Sequence, residues 1–173
     1  MATNFDRQSM GSLKTLLGPL SPENPVGDNL YYDALYDQIK EARREDDPTL
    51  SLGVWEYTLK KSDWPLVENL SSRALITQTK DLQIAGWLTE AWVVMDQLEG
   101  LIKGITLIHE LSKTYWANIY PQIHEEADDS ERRSHLFEWL DTALTHRLVL
   151  LPILENPLTT SPVSLADWMQ ATQ

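Results

Sequence analysis

Cysteine is absent from the chain, and this absence excludes disulfide bonds and thiolate metal sites. No apolar run approaches the roughly 20 residues that a membrane-spanning helix needs, and the first ten residues lack the basic-then-apolar pattern of a signal peptide. Basic residues are scarce: the densest clusters are the pairs Arg43–Arg44 and Arg132–Arg133, while the formal net charge is −12. Nucleic acids and anionic membranes attract positive surfaces, so we expect neither as the main partner. These absences predict a soluble cytoplasmic protein without membrane insertion.

Motifs that carry catalysis or metal binding are missing as well. The histidines at positions 109, 124, 135 and 146 include no pair three or four residues apart, so we interpret them as solvated or capping side chains. The acidic run at 125–131 lacks calcium-loop spacing and is interpreted as a solvated loop, with an electrostatic docking patch as the less favoured alternative. No Gly-rich phosphate loop or nucleophile elbow occurs. We predict no enzyme, no catalytic or metal-binding residue and no cofactor, although a site assembled from distant residues would escape this reasoning.

The strongest pattern that is present covers residues 80–97, with the sequence KDLQIAGWLTEAWVVMDQ. Asp81 is a favourable N-cap, and apolar residues follow it at helical spacings around most of the circumference. A helix of this kind belongs inside a helical domain, with neighbours covering both of its flanks. The pattern therefore predicts a central buried helix at about 80–97. Around it we expect a single all-α domain built from antiparallel helix hairpins, which a chain of 173 residues is long enough to form.

Helical periodicity continues on both sides of this segment. Asp28 is expected to cap a helix that runs to about residue 45, and Ser62 or Asp63 is expected to cap the next helix, to about residue 79. Further helices are predicted at 9–17, 99–115, 130–151 and 165–169. Gly100 and Gly104 are expected to let a neighbouring backbone approach closely. The inner side of the 130–151 helix is predicted to carry Phe137, Leu140, Ala143, Leu144 and Leu148.

The domain boundaries follow from composition. Residues 1–29 are predicted to form an irregular segment with one short helix, because residues 19–27 hold three prolines and a glycine. Residues 30–154 are predicted to form the helical domain. Residues 155–173 begin Pro/Thr/Ser-rich and are interpreted as a linker with a short terminal helix, which we expect to lead into further C-terminal domains.

Large aromatic residues are numerous, with seven tryptophans and six tyrosines against two phenylalanines. Those within strong helices, such as Trp87, Trp92 and Trp139, are assigned to the core. Rings near helix ends or in connections are candidates for partner binding, although sealing a helix end is the more ordinary role for such a ring. These candidates are Trp55, Trp64, Tyr31, Trp116 and Tyr120.

Several stretches together resemble the ImpA N-terminal domain family. That domain opens the TssA subunits of the bacterial type VI secretion system and also occurs in related accessory proteins. The resemblance covers roughly residues 20–165, with K-D-L followed by W-L-T-E-A as its most specific part. The stretches are NPVGDNLYYD (24–33), EARREDDPTLSLGVWEYTLKKSDWPLV (41–67), KDLQIAGWLTEAW (80–92), YWANIYP (115–121) and RRSHLFEWL (132–140).

The resemblance implies a cytoplasmic structural protein without catalytic residues, which helps to assemble the baseplate and the contractile tail tube and sheath. Its partners would be subunits of that apparatus, and the full-length protein would oligomerise through a C-terminal domain outside this chain. Its motif residues would be structural: Asp81 as a cap, Trp87 and Leu88 in packing, and Glu90 in holding a neighbouring loop. Two alternatives remain open: a sheath-anchoring or sheath-stopping accessory protein with the same domain, and a generic helical peptide-binding adaptor unrelated to secretion.

Overall fold

The computed structural model describes residues 13–46, 59–122, 129–154 and 162–172. Residues 13–17 form a short helical segment ahead of the main helices. The helices and strands that follow are α1 (Ala34–Arg43), α2 (Trp64–Thr77), α3 (Leu82–Tyr115), α4 (Asp129–Val149), β1 (Pro152–Leu154), β2 (Val163–Ser164) and α5 (Leu165–Ala171). The all-α class is confirmed, since helices make up almost all of the regular structure in these ranges.

The first half of α3 is the buried centre of the fold. Every residue from position 84 to position 93 is buried, and Leu82, Leu88 and Trp92 are among the most enclosed side chains. Helix α2 precedes α3 by a short connection and packs against it, as expected for a helix hairpin. Helices α1 and α4 pack against this pair, α1 on α2 and α4 on α3.

Helix α3 reverses direction at Gln97, which has a φ of 56° and a ψ of −128°. Two helical segments therefore meet there, in agreement with the separate helices predicted at 80–97 and 99–115. The close backbone approach expected at the two glycines is confirmed at Gly100, while the close neighbour of Gly104 is a side chain. A Cβ on Gly100 would overlap the backbone carbonyl of Trp92, and one on Gly104 would overlap the Thr89 side chain. Only residues without a Cβ allow the two segments to pack at this separation.

Helix α1 starts later than predicted, because Asp33 and not Asp28 is its N-cap. The Asp33 carboxylate accepts a hydrogen bond from the backbone N–H of Leu35 at 2.7 Å. The backbone N–H of Asp28 instead donates to the carbonyl of Gln78, at 2.9 Å. Residues 28–33 are thus tied to the connection between α2 and α3, and this tertiary contact overrides a favourable local capping signal.

The predicted inner face of α4 is confirmed at Leu140, Leu144 and Leu148 and is wrong at Phe137. That side chain is exposed, whereas Leu136, Leu140 and Leu144 are buried at helical spacing. Arg133 extends this buried stripe by nearly one turn towards the start of the helix. Around the helix axis, Phe137 lies about 100° from Leu136 and about 20° beyond Leu144, so it falls at the edge of the buried stripe.

A short ladder near the C-terminal end was not predicted. Strands β1 and β2 pair antiparallel, with Pro152 opposite Ser164 and Leu154 opposite Val163. Part of the segment interpreted as a linker therefore returns to the domain as a strand. Ser164 then caps α5 through a capping box with Asp167.

Candidate functional site

Lys80 and Asp81 lie where three parts of the chain converge, at the start of α3. The Lys80 ammonium is buried and donates to the carbonyls of Leu16 and Leu75, at 2.7 and 2.6 Å. Burial lowers the pKa of Lys80 to about 8. Its backbone N–H donates to the Val26 carbonyl, and its own carbonyl accepts from the N–H of Tyr120. One residue therefore joins the N-terminal segment, the α2–α3 connection and the segment that follows α3.

Arg133 anchors the segment between α3 and α4 from the other side. Its guanidinium donates to the carbonyls of Pro121 at 2.7 Å, Trp116 at 2.8 Å and Ile119 at 2.7 Å. The same group lies 4.5 Å from the centre of the Trp116 ring, within the range of a cation–π contact. The planar fork of an arginine can satisfy several acceptors at once, which an ammonium cannot do with the same geometry.

A cavity of about 360 Å³ opens between these anchored segments. Four separate parts of the chain form its walls, namely residues 29–36, the start of α3, the segment after α3, and α4. The lining residues are Asn29, Tyr31, Tyr32, Tyr36, Asp81, Gln83, Tyr120, Pro121, Gln122, Arg132, His135 and Leu136. Its size lies near the lower end of the range for small-ligand pockets, about 300–1,000 Å³.

Asp81 is the buried acid of this cavity, with only 4% of the residue exposed. Its Oδ1 accepts hydrogen bonds from the backbone N–H groups of Gln83 and Ile84, at 2.7 and 3.2 Å. Its Oδ2 accepts none within the described parts of the chain. Burial raises the pKa of Asp81 to about 6, against two hydrogen bonds that lower it. The carboxylate therefore carries a charge that its surroundings only partly compensate.

Tyrosines surround this carboxylate. Burial is the main cause that raises the pKa of Tyr36, and the charge of Asp81 adds to it. The same two causes, together with the charge of Asp28, raise the pKa of Tyr120. The Tyr120 hydroxyl donates to the Gly27 carbonyl at 3.1 Å, whereas the Tyr36 hydroxyl has no hydrogen bond within the described residues. Tyr31 and Tyr32 stand at the mouth, half and almost fully exposed.

Basic groups occupy the rim. Arg132 and His135 are both exposed, on the α4 wall. Lys40 is outside the lining, and its ammonium lies 5.0 Å from the ring centre of Tyr36 and 5.9 Å from that of Tyr31. Lys40 also pairs with the Asp37 carboxylate, at 3.9 Å. The buried charge of the cavity is therefore the acidic one of Asp81.

Four of the five aromatic residues predicted to bind partners are described by the structure, and these four do not form one cluster. Tyr31 and Tyr120 line the cavity, while Trp116 is half-exposed and covers Arg133. Trp64 is 9% exposed and packs in the core, with the Arg147 guanidinium 4.9 Å from its ring centre. Trp55 lies outside the described residues.

The predicted motif residues lie in the core. Asp81 makes the capping hydrogen bonds described above, Leu88 is fully buried, and Trp87 meets the Tyr36 ring edge-on at 4.6 Å between centroids. Glu90 is buried and pairs with Arg43 at the end of α1 and with Arg147 of α4, the latter at 3.5 Å. Glu90 was expected to hold a neighbouring loop, but both of its partners lie in helices, so it instead links α1 and α4 to α3.

Sequence reasoning missed Lys80, Arg133 and Tyr36 as residues that build the site. Lys80 and Arg133 stand in the quoted stretches KDLQIAGWLTEAW and RRSHLFEWL, but a lysine or arginine at a helix start is usually solvated. Register offers one signal for Arg133, since it precedes the buried Leu136 and Leu140 by three and seven residues. The signal for Tyr36 was its position on the apolar face of its helix, which indicates burial but no cavity.

Within the described ranges, no group of three or more histidine, aspartate or glutamate side chains could hold a metal ion. In the same ranges, no helix is long and apolar enough to cross a membrane.

Comparison with known proteins gives three consistent results. Residues 17–142 match the family described as "ImpA, N-terminal, type VI secretion system". The chain is 35% identical over 120 residues to the type VI secretion system component TssA1 of Pseudomonas aeruginosa, an alignment covering 69% of this chain and 34% of that protein. It is also similar to a solved structure, the N-terminal domain, including the conserved ImpA_N region, of the TssA component of the type VI secretion system from Burkholderia cenocepacia. That match has a TM-score of 0.78 and 32% identity, and covers 92% of this chain and 57% of the other.

The chain spans about a third of the length of the curated relative that it matches. The family match nevertheless covers most of the chain, including the Lys80–Asp81 junction, the cavity and Arg133. The expectation drawn from K-D-L and W-L-T-E-A is confirmed: this chain belongs to the ImpA N-terminal family of the type VI secretion system.

Proposed function

We propose that this chain is an interaction module of a TssA-type protein, and that it helps to assemble the baseplate and the contractile tail tube and sheath in the bacterial cytoplasm. Its partners would be baseplate, tube, sheath or membrane-complex subunits of that apparatus. The observation that carries the proposal is the family match over residues 17–142, because that range contains the buried first half of α3 and all four walls of the cavity. We propose no catalytic activity for it.

The way the fold is held together supports this proposal. Lys80 and Arg133 donate five hydrogen bonds to backbone carbonyls: two near the ends of helical segments and three in the single non-helical segment that follows α3. Segments fixed in this way lose little conformational entropy when a partner binds, so they suit a surface that is formed before binding. Tyr31, Tyr32 and Trp116 present large rings on that surface, and such rings are common in protein interfaces.

Affinity capture tests the proposal. Tagged residues 1–173, and a longer version that includes the native C-terminal sequence, would be incubated with lysate of a bacterium that has a type VI apparatus, and bound proteins identified by mass spectrometry. The same capture is repeated with the variant Tyr32→Ser, which removes a ring that is 93% exposed and leaves the core intact. Enrichment of secretion subunits by the wild type, reduced in the variant, is the expected result. If neither folded version enriches any subunit of the apparatus, the proposal is wrong.

The same experiment separates the alternatives. A sheath-anchoring or sheath-stopping accessory protein would enrich sheath or membrane-complex subunits without those of the baseplate. A generic adaptor unrelated to secretion would enrich proteins outside the apparatus, and the cavity is the feature that favours this alternative.

A further inference from the structure

The cavity combines an unusual set of groups for a structural module. Within the described parts of the chain, neither the Oδ2 atom of the buried Asp81 nor the hydroxyl of Tyr36 makes a hydrogen bond. Neither atom is sealed from solvent, since the fully enclosed and unpartnered side-chain atoms of the described residues are only those of Ser71 and Thr79. Both atoms belong to residues that line the cavity, and we assign them to that space.

An unpaired buried carboxylate is costly, because burial removes water from a charge and only a strong donor replaces it. Aromatic faces around such a carboxylate add a second attraction for cations. Lys40 already places its ammonium against the outer side of Tyr36 and Tyr31, so these rings are accessible to positive charge. The tyrosines and Asp81 together form a lining suited to an ammonium or guanidinium group.

We propose that this cavity receives the side chain of a lysine or arginine from an extended segment of a partner protein. The cationic group would donate hydrogen bonds to Asp81 Oδ2 and to the Tyr36 hydroxyl, and its methylenes would lie against the rings of Tyr31 and Tyr32. The backbone of the segment would stay at the mouth, where Asn29 and the glutamines at 83 and 122 offer amide groups. This inference rests on the proposed function as an interaction module and names the chemistry of its partner.

The net charge of the whole chain, −12, attracts basic partners at long range, and the cavity then selects one side chain.

The experiment is a titration of ¹⁵N-labelled residues 1–173 with the peptide acetyl-Gly-Ser-Lys-Ser-Gly-amide, followed by amide chemical shifts. Matched peptides carry arginine, norleucine or glutamate at the central position. We expect the lysine and arginine peptides to shift amides of residues 29–36, 81–83 and 120–122. The norleucine and glutamate peptides should bind at least roughly tenfold more weakly, because they lack the charged donor.

Two variants test the assigned groups. Asp81→Asn keeps an N-cap acceptor but removes the charge, and it should weaken lysine-peptide binding roughly tenfold. Tyr36→Phe removes a hydroxyl without a hydrogen bond among the described residues, and it should weaken binding severalfold. The control is Asp63→Asn, which changes the same residue type at another N-cap and alters the net charge equally. It should bind like the wild type.

Several results would overturn the inference. The first is equal binding of the lysine, norleucine and glutamate peptides, and the second is tighter binding of the glutamate peptide through the rim. Absence of shifts at millimolar peptide, or unchanged affinity in a folded Asp81→Asn variant, would do the same. Peptide binding without capture of secretion subunits would support the cavity assignment and refute the proposed function. Capture that is unchanged in Tyr36→Phe and Asp81→Asn, with no peptide binding, would do the reverse.

Discussion

The role of Arg133 leads to a sharp stability prediction, because its neighbour Arg132 provides a matched control. Arg133 is 97% buried and donates to three backbone carbonyls, whereas Arg132 is exposed on the cavity rim. Replacing each arginine by lysine keeps the charge and most of the methylene chain. The two substitutions are equivalent in composition and differ only in tertiary position.

The expected magnitude follows from the three acceptors. A lysine side chain at position 133 is shorter and ends in a compact ammonium instead of a planar guanidinium. We expect it to hydrogen-bond well to one of the three carbonyls and to leave the other two without a donor. Each buried acceptor left unsatisfied costs about 1–3 kcal/mol. We therefore expect Arg133→Lys to lower the free energy of unfolding by roughly 2–4 kcal/mol. Arg132→Lys should change it by less than about 0.5 kcal/mol, as is usual for an exposed position.

Urea denaturation followed by tryptophan fluorescence measures both values, with calorimetry as a second probe. For a domain of this length, a loss of that size corresponds to a decrease in melting temperature of about 5–15 °C. Amide hydrogen exchange adds a local test, since the N–H of Tyr120 and its neighbours should lose protection in Arg133→Lys only. Equal stability of the two variants would refute the account of how the segment between α3 and α4 is held.

Four further predictions concern single positions. Gly100→Ala should destabilise the domain by more than about 2 kcal/mol, because the added Cβ would overlap a backbone carbonyl. The control Gly18→Ala should leave stability nearly unchanged, because a Cβ there meets only ordinary contacts, and thermal denaturation compares the two variants. Gln97→Gly should stabilise it by about 1 kcal/mol, since a positive φ strains residues with a side chain, and a lower urea midpoint would contradict this. Glu90→Gln should cost about 2–3 kcal/mol, because it leaves the Arg43 guanidinium without its counter-charge and Arg147 with only the Glu45 carboxylate, at 3.9 Å. An unchanged melting temperature would contradict the assigned role of Glu90. The pKa of Asp81 is about 6 in the folded state, above its ordinary 3.8, so folding favours the protonated form and the stability contribution of this residue falls as the pH rises from about 4 through 6. The free energy of unfolding of Asp81→Asn should therefore exceed that of the wild type by on the order of 3 kcal/mol at pH 8 and should equal it at pH 3. Urea denaturation at both pH values measures the difference.

The parts of the fold that follow from local pattern were predictable. The first half of α3 is apolar around most of its circumference, so its central position could be read from the sequence without knowledge of its neighbours. The start of α1 could not, because Asp28 and Asp33 are equally good caps and a hydrogen bond to Gln78 decides between them. Phe137 was misplaced for a related reason: the arc of α4 that faces inward depends on where α3 lies.

The cavity was beyond sequence reasoning for a different reason. Its walls come from four stretches separated by up to about a hundred residues, and no local pattern shows that Tyr36, Asp81 and His135 share a space. The sequence pointed to Tyr31 and Tyr120 as rings near helix ends, and both line the cavity. The same reasoning selected Trp64, which is buried, because a ring that seals a helix start and a ring that meets a partner have the same local surroundings.

Affinity considerations connect the cavity to assembly. A pocket that receives one cationic side chain offers few contacts, so a single module would bind such a segment weakly. In the proposed assembly role, several copies acting at once would raise the effective concentration and offset the weakness of each contact. The rigid walls held by Lys80 and Arg133 then matter, because a preformed cavity adds little ordering cost to each of the repeated contacts. On this argument, linking two copies of the domain should strengthen binding to a peptide with two suitably spaced lysines by far more than twofold, and Asp81→Asn in both copies should remove that gain.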